Sequence, residues 1–239
     1  MDREDLEVRA ASFEKLTPQQ ILSWAVAEYS PQLVMSTAFG PGGIILMHLL
    51  KQLGLQIPVF YIDTGLLFPE VHQLRLKLEE TFAIHFERVV PALGLVEQAE
   101  RFGDRLWERN ADTCCWLRKV LPLQNYLRDK RAWITAIRAD QTSQRAKARL
   151  IEWDERNQVV KINPLLRWNE EQVWDYIHRH RLPYNPLHDQ GYPSLGCVPC
   201  TQPVEKGECA RAGRWRGRAK TECGIHLPAA DTPFLIRDK

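Results

Sequence analysis

Six cysteines divide this chain into two kinds of chemistry. Cys114 and Cys115 are adjacent, and Cys197 and Cys200 close a turn in Leu195-Gly196-Cys197-Val198-Pro199-Cys200. Adjacent cysteines rarely bridge to each other, because the ring they would close is strained. The two pairs supply four thiolates, which suits tetrahedral zinc or a [4Fe–4S] cluster; spacing alone favours neither, and a thioredoxin-type redox pair fits less well. Cys223 stands apart in Glu222-Cys223-Gly224-Ile225-His226, behind the cations Arg211, Arg214, Arg216, Arg218 and Lys220. Such a basic run is usually a solvated tail. Cations ahead of a cysteine nevertheless favour its thiolate, and the thiolate is the nucleophile. Near the chain end and beside a glycine, Cys223 reads as a mobile nucleophile that attacks a bound substrate and then swings out to a reductant. The alternative is an incidental tail cysteine. Cys209 is left without a role.

The elements that must carry these residues alternate in type. Thr17-Pro18-Gln19-Gln20 predicts a capped helix to about Tyr29, and 32–36 a buried strand. A largely buried helix over 42–53, a strand over 57–62 and a helix from about Pro69 follow. Further strands are expected over 84–90 and 132–137, with helical turns around 117–127 between them, and Asn169 caps a late helix to about His180. This alternation predicts an α/β, Rossmann-like parallel sheet with helices on both faces. Beyond Leu182 the chain is rich in Pro, Gly and Cys and reads as irregular. Residues 1–200 are expected to form the nucleotide-binding body, and 201–239 a mobile tail carrying Cys223.

In such a sheet ligands bind where the loops leave the carboxyl ends of the strands. The 36–43 loop (Ser36, Thr37, Gly40 and their neighbours) is a hydroxyl- and glycine-rich turn into a helix, suited to an anion. It equally suits an ordinary strand-to-helix turn, and no Lys-Ser/Thr follows to make a Walker loop. Asp63-Thr64-Gly65 follows the second strand, and Arg138 with Arg145 follows a later one. Arginine forks suit sulfate or phosphate, though surface ion pairs explain them as readily.

A formal net charge of +2 is too small to argue for nucleic acid. No apolar run reaches the roughly 18 residues of a membrane span, and the acidic Met1-Asp2-Arg3-Glu4-Asp5 start has no signal-peptide stretch behind it. With 44% hydrophobic residues the chain can build a core without disulfides. A cytoplasmic location is expected, where thiols stay reduced and serve as ligands or redox catalysts.

Taken together, these segments resemble the assimilatory sulfonucleotide reductases, which reduce adenosine 5′-phosphosulfate or its 3′-phosphorylated form to sulfite. The resemblance is carried by the 36–43 loop, Asp63-Thr64-Gly65 with Phe68-Pro69-Glu70, and Cys114-Cys115-x-x-Arg118-Lys119-x-x-Pro122-Leu123. Arg138-x-x-Gln141-x-x-x-Arg145, Tyr184-Asn185-Pro186-Leu187-His188, the 191–201 segment around Cys197 and Cys200, and the Glu-Cys-Gly-x-His tail complete it. It implies an adenine nucleotide α-hydrolase-like fold and a [4Fe–4S] cluster on Cys114, Cys115, Cys197 and Cys200. It implies substrate contacts from Ser36, Thr37, Gly40, Asp63, Lys119, Arg138, Arg145, Arg214, Arg218 and His226. Cys223 would attack the sulfonate sulfur, release AMP and form S-sulfocysteine, and a thioredoxin or glutaredoxin thiol would release sulfite. A homo-oligomer is also expected. The Ser-x-x-Phe-Gly loop is nearer the users of the 3′-phosphorylated substrate, whereas the cysteine set is that of the adenosine 5′-phosphosulfate reductases. The cysteines decide the expectation, with dual use as the alternative. Two rival classes are an RNA-thiolating enzyme, which would want a Ser-Gly-Gly-x-Asp-Ser loop, and a zinc-stabilised binding module without chemistry.

Overall fold

The computed structural model describes Leu6 and residues 12–227. Helix α1 (Pro18–Tyr29) opens as its sequence predicts. Thr17 Oγ1 accepts the Gln20 N–H at 3.3 Å, and Gln20 Oε1 accepts the Thr17 N–H at 2.8 Å. This reciprocal cap satisfies two backbone donors at the helix start. Six strands form one sheet: β1 (Leu33–Ser36), β2 (Val59–Ile62), β3 (Phe86–Val89), β4 (Ala132–Ile134), β5 (Ile151–Asp154) and β6 (Val159–Ile162). Their order is β3-β2-β1-β4-β6-β5, parallel throughout except for β5 against β6.

Side chains alternate across this sheet, as the pleat requires. Leu33, Met35, Val59, Tyr61, Ala132, Ile134, Val160 and Ile162 face a core shared with α1, α2 (Pro41–Gln52), α3 (Pro69–Phe82) and α8 (Glu170–Arg179). Val34, Phe60, Trp133 and Val159 face the other side, where Leu123 and Leu127 of α7 (Leu121–Leu127) cover them. Both faces are therefore buried, which is why these strands read as continuous apolar runs. Full burial of each such side chain contributes about 1.5–3 kcal/mol. Among the described residues no helix is long and apolar enough to cross a membrane.

The β5–β6 hairpin was not foreseen, and the sheet is mixed rather than wholly parallel. Its sequence, Ile151-Glu152-Trp153-Asp154-Glu155-Arg156-Asn157-Gln158-Val159-Val160-Lys161-Ile162, is charged enough to hide the pattern. Asp154 Oδ1 accepts the N–H groups of Arg156 and Asn157, both at 3.1 Å, and so makes the turn. Lys161, only 6% exposed, pairs with Glu152 at 2.9 Å.

The chain departs in opposite directions on the two sides of the β1/β4 neighbourhood, so the loops after β1 and β4 part there, the place where sheets of this kind bind ligands. The loop after β1 is tightly set. Thr37 Oγ1 accepts the Phe39 N–H at 2.9 Å, and Phe39 takes a left-handed φ of 57° with its ring 2% exposed. A Cβ on Gly43 would lie 2.7 Å from that same oxygen. Gly43→Ala is therefore expected to cost about 1–3 kcal/mol through overpacking. Each kcal/mol lowers the melting temperature by roughly 2–4 °C for a chain of this size. An unchanged thermal melt would show that the loop has slack.

Candidate active site

Cys114 and Cys115 end the short helix α6 (Ala111–Cys115), which runs directly into a π turn (Trp116–Val120). π turns are rare and concentrate at functional sites. This one is entered with Asn110 Oδ1 capping Thr113 N–H at 3.0 Å, and it brings Cys114, Cys115, Arg118 and Lys119 to the wall of one cavity. Cys197 and Cys200 line the same cavity, with Leu66, Trp107 and Ala111 completing the lining. The Cys-x-x-Cys turn is pinned to the loop after β2: Val198 N–H donates to Leu66 O at 2.8 Å, and Thr64 Oγ1 lies 3.3 Å from Cys197 Sγ. Two segments about 80 residues apart thus meet because the crossover after β2 holds both.

Arg118 is a strut rather than a free cation. Buried at 4% exposure, it donates from Nε to Thr64 O at 2.5 Å and from Nη1 to Leu93 O and Gln98 Oε1 at 3.2 and 3.1 Å. Burial, and then the neighbouring Cys197 and Cys200, push the Cys114 thiol up to about 11. Burial likewise pushes Cys115 up to about 12, against the pull of Lys119. Such thiols ionise only when something positive holds them. Among the described residues no three His, Cys, Asp or Glu side chains are gathered closely enough to hold a single metal ion.

Cys223 reaches the same place from the tail. It packs with Cys200 against Ala111, Cys115 and Trp215. Burial would raise its thiol, but Lys119, the Ile225 N–H and Arg214 outweigh both that and the opposing charge of Glu222, so its pKa is lowered. Lys119 is held charged in return. Burial works against its ammonium, while Cys197, Cys115 and Cys223 raise its pKa more strongly. The result is a thiolate-favouring position beside a persistent cation, the condition for a cysteine nucleophile.

The basic run before Cys223 is ordered rather than solvated, and each of its five cations has a partner. Arg211 donates to Thr221 O at 2.9 Å and to Glu222 at 3.3 Å. Arg214 donates to Leu195 O at 2.9 Å and lies 4.5 Å over the Trp215 ring. Arg216 pairs with Glu208 at 2.7 Å, Arg218 donates to Trp107 O, and Lys220 pairs with Asp112. The run is pinned by pairing of residues 213–215 with 200–202: Gln202 N–H donates to Gly213 O at 2.9 Å, and Trp215 N–H to Cys200 O at 3.1 Å. That pairing slides Trp215 beneath the cysteines.

The other expected site residues are placed as follows. Ser36, Thr37 and Gly40 lie at the end of β1 and in the loop after it, where Ser36 Oγ donates to Ile134 O at 3.4 Å and nothing stands within 4 Å of a Cβ on Gly40. Asp63, 4% exposed, accepts the Gly65 N–H at 2.9 Å and Arg88 at 2.8 Å, so its carboxylate shapes the loop. Arg138 is held by Asp140 at 2.9 Å. Arg145 is bound to Glu222, at 2.7 Å from Nε and 3.0 Å from Nη2. Arg218 lies exposed on the outside, against Trp107. His226 stacks on Trp133 with ring centroids 5.7 Å apart, and burial, then Arg145, Lys161 and Arg211, hold it neutral. Residues 228–239 of the expected tail lie outside the described residues, and 201–227 pack on the body. Sequence reasoning missed Trp215 and the node of Glu222 with Thr142 and Arg211. Glu222 had a signal in the Glu-Cys-Gly-x-His pattern; Thr142 and Trp215 had none beyond neighbouring a motif.

Comparison with known proteins adds to this geometry. A family model described as the phosphoadenosine phosphosulfate reductase domain matches residues 32–203. The adenosine 5′-phosphosulfate reductase of Salinibacter ruber is 50% identical over 222 residues, covering 92% of this chain and 88% of that one. The enzyme of the same name from Bacillus cereus is 44% identical over 207 residues, covering 86% and 88%. Among solved structures, the phosphoadenylyl-sulfate reductase of Candida auris in complex with phosphate superposes with a TM-score of 0.72 at 30% identity, covering 85% of this chain and 98% of that one. The Candida glabrata FMN adenylyltransferase bound to ATP, at TM-score 0.57 and 18% identity over 84% of this chain and 66% of that one, shares the fold. The matched span runs from β1 through both cysteine pairs, and the chain belongs to the phosphoadenosine phosphosulfate reductase domain family.

Proposed function

We propose that this protein reduces adenosine 5′-phosphosulfate to sulfite and AMP, with Cys223 as nucleophile and a thioredoxin or glutaredoxin as electron donor. The observation that carries the reading is Cys223 set beside Lys119, its thiol lowered, at one edge of the cysteine-lined cavity. The thiolate forms a bond to the sulfonate sulfur as the S–O bond to the phosphate breaks, and AMP leaves with the bonding pair. A donor thiolate then attacks Cys223 Sγ, sulfite departs with the S–S bonding pair, and the donor's second thiol resolves the mixed disulfide. Two electrons pass from the dithiol, which ends as a disulfide. Sulfonucleotide and thiolate are both anionic, so Lys119 and Arg214 have to offset their repulsion before attack.

The donor set fits a [4Fe–4S] cluster: four cysteines line one cavity, and among the described residues no His, Asp or Glu does. Cys114, Cys115, Cys197 and Cys200 would hold it. When bound, the cluster supplies fixed charge and polarisability beside the cavity wall that Lys119 shares. Protein purified without oxygen is then expected to be brown, with about four irons and four acid-labile sulfides per chain, the content of that cluster type. Stoichiometric zinc without sulfide would overturn this. A cytoplasmic homo-oligomer is the corresponding cellular form.

The preference for adenosine 5′-phosphosulfate is supported by the names of relatives at 44–50% identity, whereas the Candida auris protein named for the 3′-phosphorylated compound stands at 30%. The test is sulfite release with reduced thioredoxin from each nucleotide, compared as kcat/KM. A higher value for the 3′-phosphorylated compound would reverse the assignment, and release from neither would end it.

A further inference from the structure

We infer that Glu222 is the positioning residue of the nucleophile, seated by Arg145, Arg211 and Thr142. The inference rests on the reading of Cys223 as the attacking thiol. Glu222 is the residue directly before Cys223, and it is 4% exposed. Its carboxylate accepts from Arg145 Nε at 2.7 Å, Arg145 Nη2 at 3.0 Å, Thr142 Oγ1 at 3.0 Å and Arg211 Nη2 at 3.3 Å. A buried carboxylate this fully bonded is a strong anchor, because removing its partners would leave a desolvated charge.

Two arginines hold this seat. Arg145 spends its remaining amino group, Nη1, on Gln141 Oε1. Arg211 holds the tail's main chain as well, at Thr221 O, 2.9 Å away. With the tail seated, Arg145 turns its Nε–Nη2 edge to Glu222, while Arg211 donates from Nη1 to Ser194 Oγ at 3.4 Å and its Nε–H has no partner among the described residues. The tail's later contacts are of other kinds: Arg156 donates to Gly224 O, Ile225 packs on the second core, and His226 stacks on Trp133. Glu222 is thus the charged anchor immediately before the thiol, and it turns Cys223 toward Cys115, Cys200 and Trp215.

The test uses the full-length protein carrying Glu222→Gln, which keeps size and shape and removes the charge. Iodoacetamide labelling of Cys223, located by peptide mapping, is followed across pH without substrate. The plateau rate at alkaline pH, where the thiol is ionised in either protein, reports accessibility free of any shift in pKa. That plateau is expected to rise by about tenfold or more as the tail unseats. S-sulfonation by adenosine 5′-phosphosulfate without reductant is expected to slow by about tenfold or more, with AMP affinity within about twofold of wild type. Arg145→Gln should raise the labelling plateau similarly, and the double variant little further, because both changes break one contact. An unchanged plateau would overturn the inference. So would tighter AMP binding with S-sulfonation retained, which would make Glu222 a stand-in for the substrate's anion. If the wild type is never sulfonated while the labelling plateau still rises, the seat stands and the assigned reaction fails.

Discussion

Cys223→Ser is expected to abolish sulfite release, lowering turnover by at least about a thousandfold, because a serine hydroxyl is barely ionised at neutral pH and forms no adduct that thiol exchange can release. The cavity cysteines are untouched by the change, so iron content and nucleotide binding should persist. Intact mass after incubation with substrate and no reductant should show one added SO₃ on wild type and none on the variant. Cys209 is the internal control. It sits exposed, its carbonyl accepting the Ala212 N–H at 2.9 Å, away from the Trp215 packing that receives Cys223. Cys209→Ser should therefore stay active. Turnover that survives Cys223→Ser would place the nucleophile elsewhere.

Lys119→Gln carries the second large effect, for two reasons that separate by pH. Lys119 is the strongest of the influences holding the Cys223 thiol down against burial, so removing it raises that pKa. The loss of thiolate is then greatest at low pH and recedes as pH climbs through the new, higher value. The variant also lacks a cation facing the incoming sulfonate, and this part of the loss does not recover with pH. Removing a preorganised charge of this kind costs about 10²–10³ in rate. The pH profile of Cys223 alkylation checks the first part and the plateau of kcat/KM the second. An alkylation midpoint that stays put would show that Lys119 does not act on the thiol.

Much of the body was legible because its signals are local. The Thr17–Gln20 and Asn169–Gln172 caps appear where their side chains can reach the backbone three residues away. β1, β2 and β4 are apolar on both faces because helices cover both, whereas the edge strand β3 carries exposed Glu87 and Arg88. The β5–β6 hairpin escaped because its buried Lys161 and its Asp154 turn look like surface residues until Glu152 and the turn donors are in place.

For the site, residue type and spacing were enough to single out Cys114, Cys115, Cys197, Cys200 and Cys223, since thiol chemistry belongs to the residue itself. Which groups the arginines serve is another matter. Five cations ahead of Cys223 look alike in one dimension, yet Arg211, Arg214 and Lys220 turn inward and Arg216 and Arg218 tie down the outside. Arg145 reads as an anion-binding arginine from its loop, and 77 residues later Glu222 fills its fork. A charge's role depends on what it is paired with after desolvation, and pairing at that separation is set by how the chain packs. The sequence by itself therefore determined the chemistry available to this protein, and the tertiary structure decided which charges hold the nucleophile and which are left to meet its substrate.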